Sequence, residues 1–189
     1  WEKVDTGKLE LTGDTLHSDN PSDRNHVAGL VFKKEDGSVL IPKNALAINA
    51  NLILHRAEIE TPARLKVELS RNTDIISSTN KIADWPAIAS TTGELSTDMI
   101  DESGTMTVPL QALLQTLGYA ERVYGFSLRL SILDAEQGET NPGNLSFGSI
   151  ESKAAAQLEY FWGYVYSPDP TESTLPRVGR LYLPINVSQ

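Results

Sequence analysis

The side chains that most often carry catalysis or bind metals are few and scattered in this sequence. Its three histidines, His17, His26 and His55, form no His-x-x-x-His or His-x-His pair with a carboxylate at ligand spacing. There is no nucleophile elbow, no Walker loop, no dinucleotide-binding glycine motif and no cysteine. We therefore predict that the protein is not an enzyme and holds no metal and no cofactor.

Two tryptophans suggest a different chemistry, because an exposed aromatic ring can stack on the apolar face of a sugar. Trp85 precedes Pro86 in a polar stretch and is the candidate glycan contact. Trp162 lies in the aromatic run YFWGYVY, where packing in a strand against the core is the better interpretation. The sequence thus leaves open a carbohydrate-binding adhesin domain.

The charge and the apolar runs of the sequence exclude some classes of partner. Sixteen basic and 25 acidic residues give a formal net charge of −9, which repels phosphate backbones, so we expect no nucleic-acid partner. The longest apolar runs fall far short of the ~20 residues that cross a bilayer, so we predict no membrane span. Because the sequence begins at Trp1 rather than Met, we expect an exported protein whose signal peptide has been removed.

Alternation of apolar and polar residues dominates the chain and predicts half-buried β-strands. It is strongest in residues 45–55, 63–70, 125–133 and 180–189, and weaker strands are expected at 28–32, 38–41, 104–108 and 158–166. The predicted inward positions are Leu46, Ile48, Ala50, Leu52, Leu54, Leu65, Val67, Leu69, Phe126, Leu128, Leu130, Ile132, Leu181, Leu183, Ile185 and Val187. Irregular strand spacing favours one all-β Greek-key sandwich domain.

Interruptions of the alternation predict the connections. Asp36-Gly37 between two apolar runs is typical of a hairpin turn. Short helices are expected at residues 109–117 and 150–161, and residues 70–103 should be a long surface loop with at most one short strand.

The opening segment WEKVDTGKLELTGDTL is an alternating strand of unusual composition. Its residues Gly7, Leu9, Leu11 and Gly13 share one face. Glycine in a strand is favoured where another backbone approaches closely, so two glycines around two leucines suggest a groove that receives this segment. An ordinary edge strand of the domain's own sheet is the alternative.

This run, W…D-T-G-K-L-E-L-T-G-D-T-L, resembles the amino-terminal extension of chaperone–usher fimbrial subunits, in particular the cysteine-free, lectin-like branch of enteric bacteria. The segment RLYLPINVSQ at the other end is similar to the final strand of such subunits. The resemblance implies an immunoglobulin-like fold that lacks one strand, leaving a groove filled first by a periplasmic chaperone and then by a neighbour's extension. The chain is short beside the major subunits of that branch, which implies a minor subunit.

On this resemblance, residues 1–16 are a donor-strand extension and residues 17–189 a single immunoglobulin-like pilin domain. Leu9 and Leu11 are anchors, with Gly7 and Gly13 at shallow positions. The acceptor groove is lined by Leu181, Leu183, Ile185 and Val187. The implied partners are neighbouring fimbrial subunits, a periplasmic chaperone and an outer-membrane usher, and the implied location is a fimbrium on the bacterial surface. The adhesin domain, with a host glycan as partner, and a viral or phage structural protein are the alternatives.

Overall fold

A computed structural model describes ten segments of the chain, namely residues 8–12, 27–34, 36–59, 63–73, 82–117, 121–133, 143–148, 155–164, 178–184 and 186–187. The strands in these segments are β1 (Lys8–Thr12), β2 (Val27–Lys33), β3 (Ala45–His55), β4 (Ala63–Ser70), β5 (Ala89–Leu95), β6 (Thr105–Pro109), β7 (Gly125–Ile132), β8 (Asn144–Gly148), β9 (Gln157–Tyr164), β10 (Val178–Pro184) and β11 (Asn186–Val187). A short helix, α1 (Gln111–Gln115), and two 3-10 turns, Ile82–Asp84 and Thr97–Met99, lie between strands.

The strands form an all-β sandwich, as the alternation predicts. One antiparallel sheet has the order β10-β9-β3-β6, and the other has the order β11-β2-β7-β4-β5. A separate two-stranded sheet pairs β1 with β8. Sequence neighbours such as β2 and β3 lie in different sheets, so the chain crosses repeatedly between the layers rather than forming a meander.

The core fills the space between the two larger sheets. The predicted inward residues of β4 and β7 are all buried: Leu65, Val67, Leu69, Phe126, Leu128, Leu130 and Ile132. The Phe32 ring of β2 stacks on Phe126 with 4.9 Å between centroids. Alternation in these strands therefore predicted the buried face correctly, because both strands pair without interruption.

Strand β3 corrects the predicted inward set at two positions. Leu46 is only half-buried and Ile48 is 50% exposed, whereas Ala45 and Ala47 face the core. The register against β9 shifts between Ala47 and Asn49, which marks a β-bulge. An extra residue in one strand reverses the alternation beyond it, so Ala50, Leu52 and Leu54 are buried as predicted.

Two further predictions fail because long-range pairing overrides local signals. The helix expected at 150–161 is wrong where the structure describes it, because β9 begins at Gln157 and buries Leu158 and Tyr160 in alternation against β3. The overlapping strand expected at 158–166 is confirmed as far as Tyr164. The expected strand at 38–41 is reduced to a single bridge between Ile41 and Val123.

The turn at Asp36-Gly37 forms but makes no hairpin. Gly37 adopts a positive φ of 68°, and its N–H donates to the Lys34 carbonyl over 3.1 Å. The chain then leaves β2 for β3 in the opposite sheet. The helix expected at 109–117 is present as the shorter α1, and the described part of the polar region that follows β4 contains one strand, β5.

The outer face of the five-stranded sheet holds a partly buried ion cluster. Glu68 lies opposite Arg129 and accepts from its Nε and Nη2 atoms over 2.8 and 2.6 Å, while Lys66 Nζ lies 2.9 Å from the other carboxylate oxygen. Burial alone would raise the pKa of Glu68, but hydrogen bonds and positive charge from Lys66 and Arg129 outweigh it and hold the pKa below its ordinary value of 4.5.

Glu68→Gln should destabilise the fold at neutral pH by about 1–3 kcal/mol, since the partly buried Arg129 loses its ion pair with the Glu68 carboxylate. A depressed folded-state pKa contributes stability above pH 4.5 that is lost as the pH falls through the folded value. The difference between wild type and variant in chemical denaturation should therefore shrink from pH 7 to pH 3. Glu102→Gln at an exposed position is the matched control, and an equal loss in both variants would contradict this account.

Candidate functional site

The amino-terminal strand β1 pairs with β8 and with no other strand in the described residues. The register is antiparallel, and it sets Leu9 opposite Phe147 and Leu11 opposite Leu145. Both partners on β8 are fully buried, with 0% of each side chain exposed. The two leucine positions therefore lie beside the part of β8 that belongs to the hydrophobic core.

Strand β8 is held on its other edge by the segment that follows β3. Ser146 N–H donates to the Glu58 carbonyl and Glu58 N–H donates to the Ser146 carbonyl, each over 2.9 Å. Backbone groups alternate between the two edges of an antiparallel strand. Because those of Ser146 face Glu58, those of Leu145 and Phe147 face β1.

The same alternation gives the two edges of β1 different roles. Leu9 and Leu11 are the residues whose backbone N–H and C=O groups face β8, since they stand opposite Phe147 and Leu145. The backbone groups of Glu10 face away from β8. The leucines predicted as anchors are thus also the residues that carry the main-chain hydrogen bonds of the pair.

The predicted donor residues are placed only in part. Leu9 and Leu11 lie in β1, which also comes close to β7 and β2. Gly7 and Gly13 lie outside the described residues, so their predicted role at shallow positions stays a prediction. The boundary between residues 1–16 and the domain likewise stays a prediction.

The predicted acceptor residues do not lie on one strand. Leu181 and Leu183 belong to β10, which pairs with β9 at the edge of the four-stranded sheet. Val187 belongs to β11, which pairs with β2 in the other sheet, and Ile185 lies outside the described residues. The expected continuous strand is therefore divided after Pro184, and this structure seats the amino-terminal strand on β8. A groove at β10 that accepts a neighbour's strand stays a prediction.

The sequence reasoning missed β8 altogether. Its five residues, Asn144–Gly148, offer only two alternating apolar positions, Leu145 and Phe147. Such a short alternation follows a turn-rich stretch and carries little signal by itself. Its burial depends on pairing with Glu58 and β1, which are distant in sequence.

Trp85 corrects the proposed glycan contact. The side chain is only 3% exposed, so it offers no ring face to a sugar. Ile82 and Trp85 pack over Gly29 of β2, where a Cβ atom would come within 2.9 Å of Trp85 Cη2. The glycine lets this loop close against the sheet, and Trp85 is a packing residue. Trp162 packs, partly buried, against the core, as expected.

The described segments show no candidate metal site. They contain no group of three or more His, Asp or Glu side chains placed to hold a metal ion. Of the predicted histidine positions, only His55 is described, and its Nδ1 lies 3.4 Å from Thr105 Oγ1 across the β3–β6 pair. Within the same segments no helix has the length and apolar character needed to cross a membrane.

Comparison with known proteins gives no family assignment. No protein-family model, no curated protein and no solved structure matches this chain.

The alternation of backbone hydrogen bonds along β1 predicts different effects for proline at two neighbouring positions. Proline lacks a backbone N–H, so Leu11→Pro removes a bond to β8, whereas Glu10→Pro removes an N–H that faces away. We expect Leu11→Pro to abolish the slow hydrogen exchange of the β1 amides and of Leu145 and Phe147. Glu10→Pro should retain most of it. Equal loss of protection in both variants would contradict the pairing phase.

Proposed function

We propose that this chain is a structural subunit of a bacterial surface fimbria and that it joins its neighbours by donor-strand exchange. The donor is β1, anchored by Leu9 and Leu11. The acceptor is β8, at the positions of Leu145 and Phe147. The subunit supports adhesion as part of the fibre and performs no catalysis.

The observation that carries this proposal is the isolation of β1. It belongs to neither of the two larger sheets and pairs with a single five-residue strand. Among the described residues, the strand pairing of β1 is therefore made to one partner, and the same residues of a second copy can make the same bonds to the same β8. Exchange changes which molecule supplies the strand without changing the contacts, so the free-energy difference between the two arrangements is small.

The chain between β1 and β2 permits the exchange. Fourteen residues separate Thr12 from Val27, and an extended segment of that length reaches at most about 50 Å. That distance exceeds the width of the domain's sheets, so β1 can leave its own β8 and reach that of a neighbour. Burying each leucine side chain in the acceptor would contribute roughly 2–3 kcal/mol, which is enough to favour this segment over unrelated strands.

Partners and location follow from the same proposal. A subunit without β1 leaves the β8 edge unpaired and its apolar neighbours open to water, a state prone to aggregation. A periplasmic chaperone would cover that edge until an outer-membrane usher adds the next subunit. The assembled chain would then stand in a fimbrium on the cell surface. The resemblance of residues 1–16 and 180–189 to fimbrial subunits supports this reading.

Removal of residues 1–13 should lower the free energy of unfolding by several kcal/mol, since Leu9 and Leu11 are lost with their hydrogen bonds. A synthetic peptide of residues 1–16 should restore it in proportion to peptide concentration. The measurement is thermal unfolding of the truncated protein with and without peptide. A Leu9→Ala, Leu11→Ala peptide should fail to restore stability, and a Lys8→Ala peptide should succeed.

Hydrogen exchange locates the added peptide. Protection that returns at residues 144–148 supports β8 as the acceptor. Protection that appears at residues 178–184 would instead assign the acceptor to β10 and its leucines. A truncated protein that is as stable as the full chain and indifferent to the peptide would contradict strand exchange.

A further inference from the structure

Strand β5 is an unprotected sheet edge on the side of the sandwich away from β11. Among the described residues it pairs only with β4. All residues from Ser90 to Glu94 are exposed, so no segment that the structure describes covers the strand. It contains no proline and no lysine, the residues that often prevent an edge strand from pairing with another chain, and its one charged residue is Glu94. The edge is therefore open to another strand.

The phase of hydrogen bonding shows which backbone groups of β5 are available. Leu133 N–H donates to the Arg64 carbonyl over 2.9 Å, so the backbone groups of Arg64 face β7. By alternation those of Leu65 face β5, where Leu65 stands opposite Gly93. The backbone of Gly93 is thus turned toward β4, and the even-numbered residues of β5 present their N–H and C=O groups outward.

An apolar cavity of about 170 Å³ lies behind this edge, between β5 and the edge strand β6 of the other sheet. Its apolar walls come from Leu65, Val67, Leu95, Met99 and Val108. Gly93 stands at its rim, and open space lies where a side chain would be. A strand added to β5 would approach Gly93 closely and shield these walls from water.

We propose that two copies of this chain pair through β5, antiparallel about a two-fold axis at Thr92. Thr92 stands opposite the partner's Thr92 as a hydrogen-bonded pair. Ser90 stands opposite the partner's Glu94, and Thr91 opposite the partner's Gly93. The five-stranded sheets of the two copies then form one continuous sheet across the seam.

The sequence of β5 favours a second copy of this chain as the partner that pairs with its free edge. In this register the outward backbone groups of the even-numbered residues meet each other in phase. Each Glu94 faces a neutral serine, and the central threonine pair is a favourable one. Thr91 fits over the missing side chain of Gly93. A register centred on Glu94 instead would set two carboxylates against each other.

The association should be readily reversible. A single pair of five-residue strand segments buries less than the roughly 1,200 Å² of a standard stable interface. Each copy also carries a net charge of −9, so repulsion opposes pairing and added salt weakens that repulsion. We expect the dimer at high protein concentration and high ionic strength.

Thr92→Cys in the full chain tests the proposal directly, because the native sequence contains no cysteine. The Cα atoms of a hydrogen-bonded antiparallel pair are about 5.5 Å apart, which suits a disulfide. Under mild oxidation we expect a disulfide-linked dimer as the main product. Ser90→Cys is the control, since a four-residue offset places its two copies about 13 Å apart. We expect it to cross-link about tenfold more slowly or not at all.

Sedimentation supplies an independent readout with charged variants. Thr92→Lys places two like charges on the axis and should abolish the concentration-dependent dimer, whereas Thr107→Lys on exposed edge strand β6 should leave it unchanged. Equal cross-linking at positions 90 and 92, or a wild-type chain that stays monomeric at high concentration and high salt, would overturn the proposal. The interface uses no residue of β1, so this test and the peptide test can fail separately.

Discussion

Every sheet edge presents backbone N–H and C=O groups that bond either to another strand or to water, and the arrangement of the described strands follows from which edges are paired. Strand β8 is paired on both sides, with Glu58 on one edge and β1 on the other. The carboxyl-terminal segment forms the edge β10 of one sheet and then the edge β11 of the other. On the opposite side, the chain passes from edge β5 through a 3-10 turn to edge β6.

The two interactions proposed here use edges that differ in how they are completed. The edge of β8 is completed by β1, which comes from far away in the sequence and pairs with no other described strand. Our proposal is that another copy can supply that segment. The edge of β5 has no partner strand in the described residues, and its short, nearly uncharged side chains suit a second copy of itself. The proposed strand donation and the proposed lateral pairing therefore use different strands of the molecule.

The sequence predicted the elements whose signals are local and uninterrupted. Alternation in β4 and β7 identified their buried faces. The same pattern in the opening segment predicted a strand with Leu9 and Leu11 on one face. It could not predict the bulge at Ile48, because one extra residue in β3 matters only through the register against β9. The alternation at 158–166 predicted most of β9, but the helix expected at 150–161 overlaps it and is wrong where the structure describes it, since the burial of β9 comes from a partner about a hundred residues away.

The functional site was harder to predict than the fold. The polar surroundings of Trp85 suggested exposure, yet Gly29 lets the loop that carries it fold onto the sheet. The proposed acceptor β8 offers only Leu145 and Phe147 as an apolar signal, and its position depends on Glu58 and β1. Local sequence identifies a strand that needs a partner, but only the three-dimensional pairing identifies which strand receives it.

Mixed cross-linking between two copies tests the central claim most directly. Thr12 stands opposite Asn144 at a non-hydrogen-bonded position, where Cα atoms are about 4.5 Å apart. A Thr12→Cys chain and an Asn144→Cys chain would be refolded together and oxidised, with the double variant in one chain as the control for adjacency. Strand exchange predicts a disulfide that joins the two different chains as the main product. A double variant that cross-links efficiently within itself, beside a mixture that yields no such heterodimer, would contradict the account.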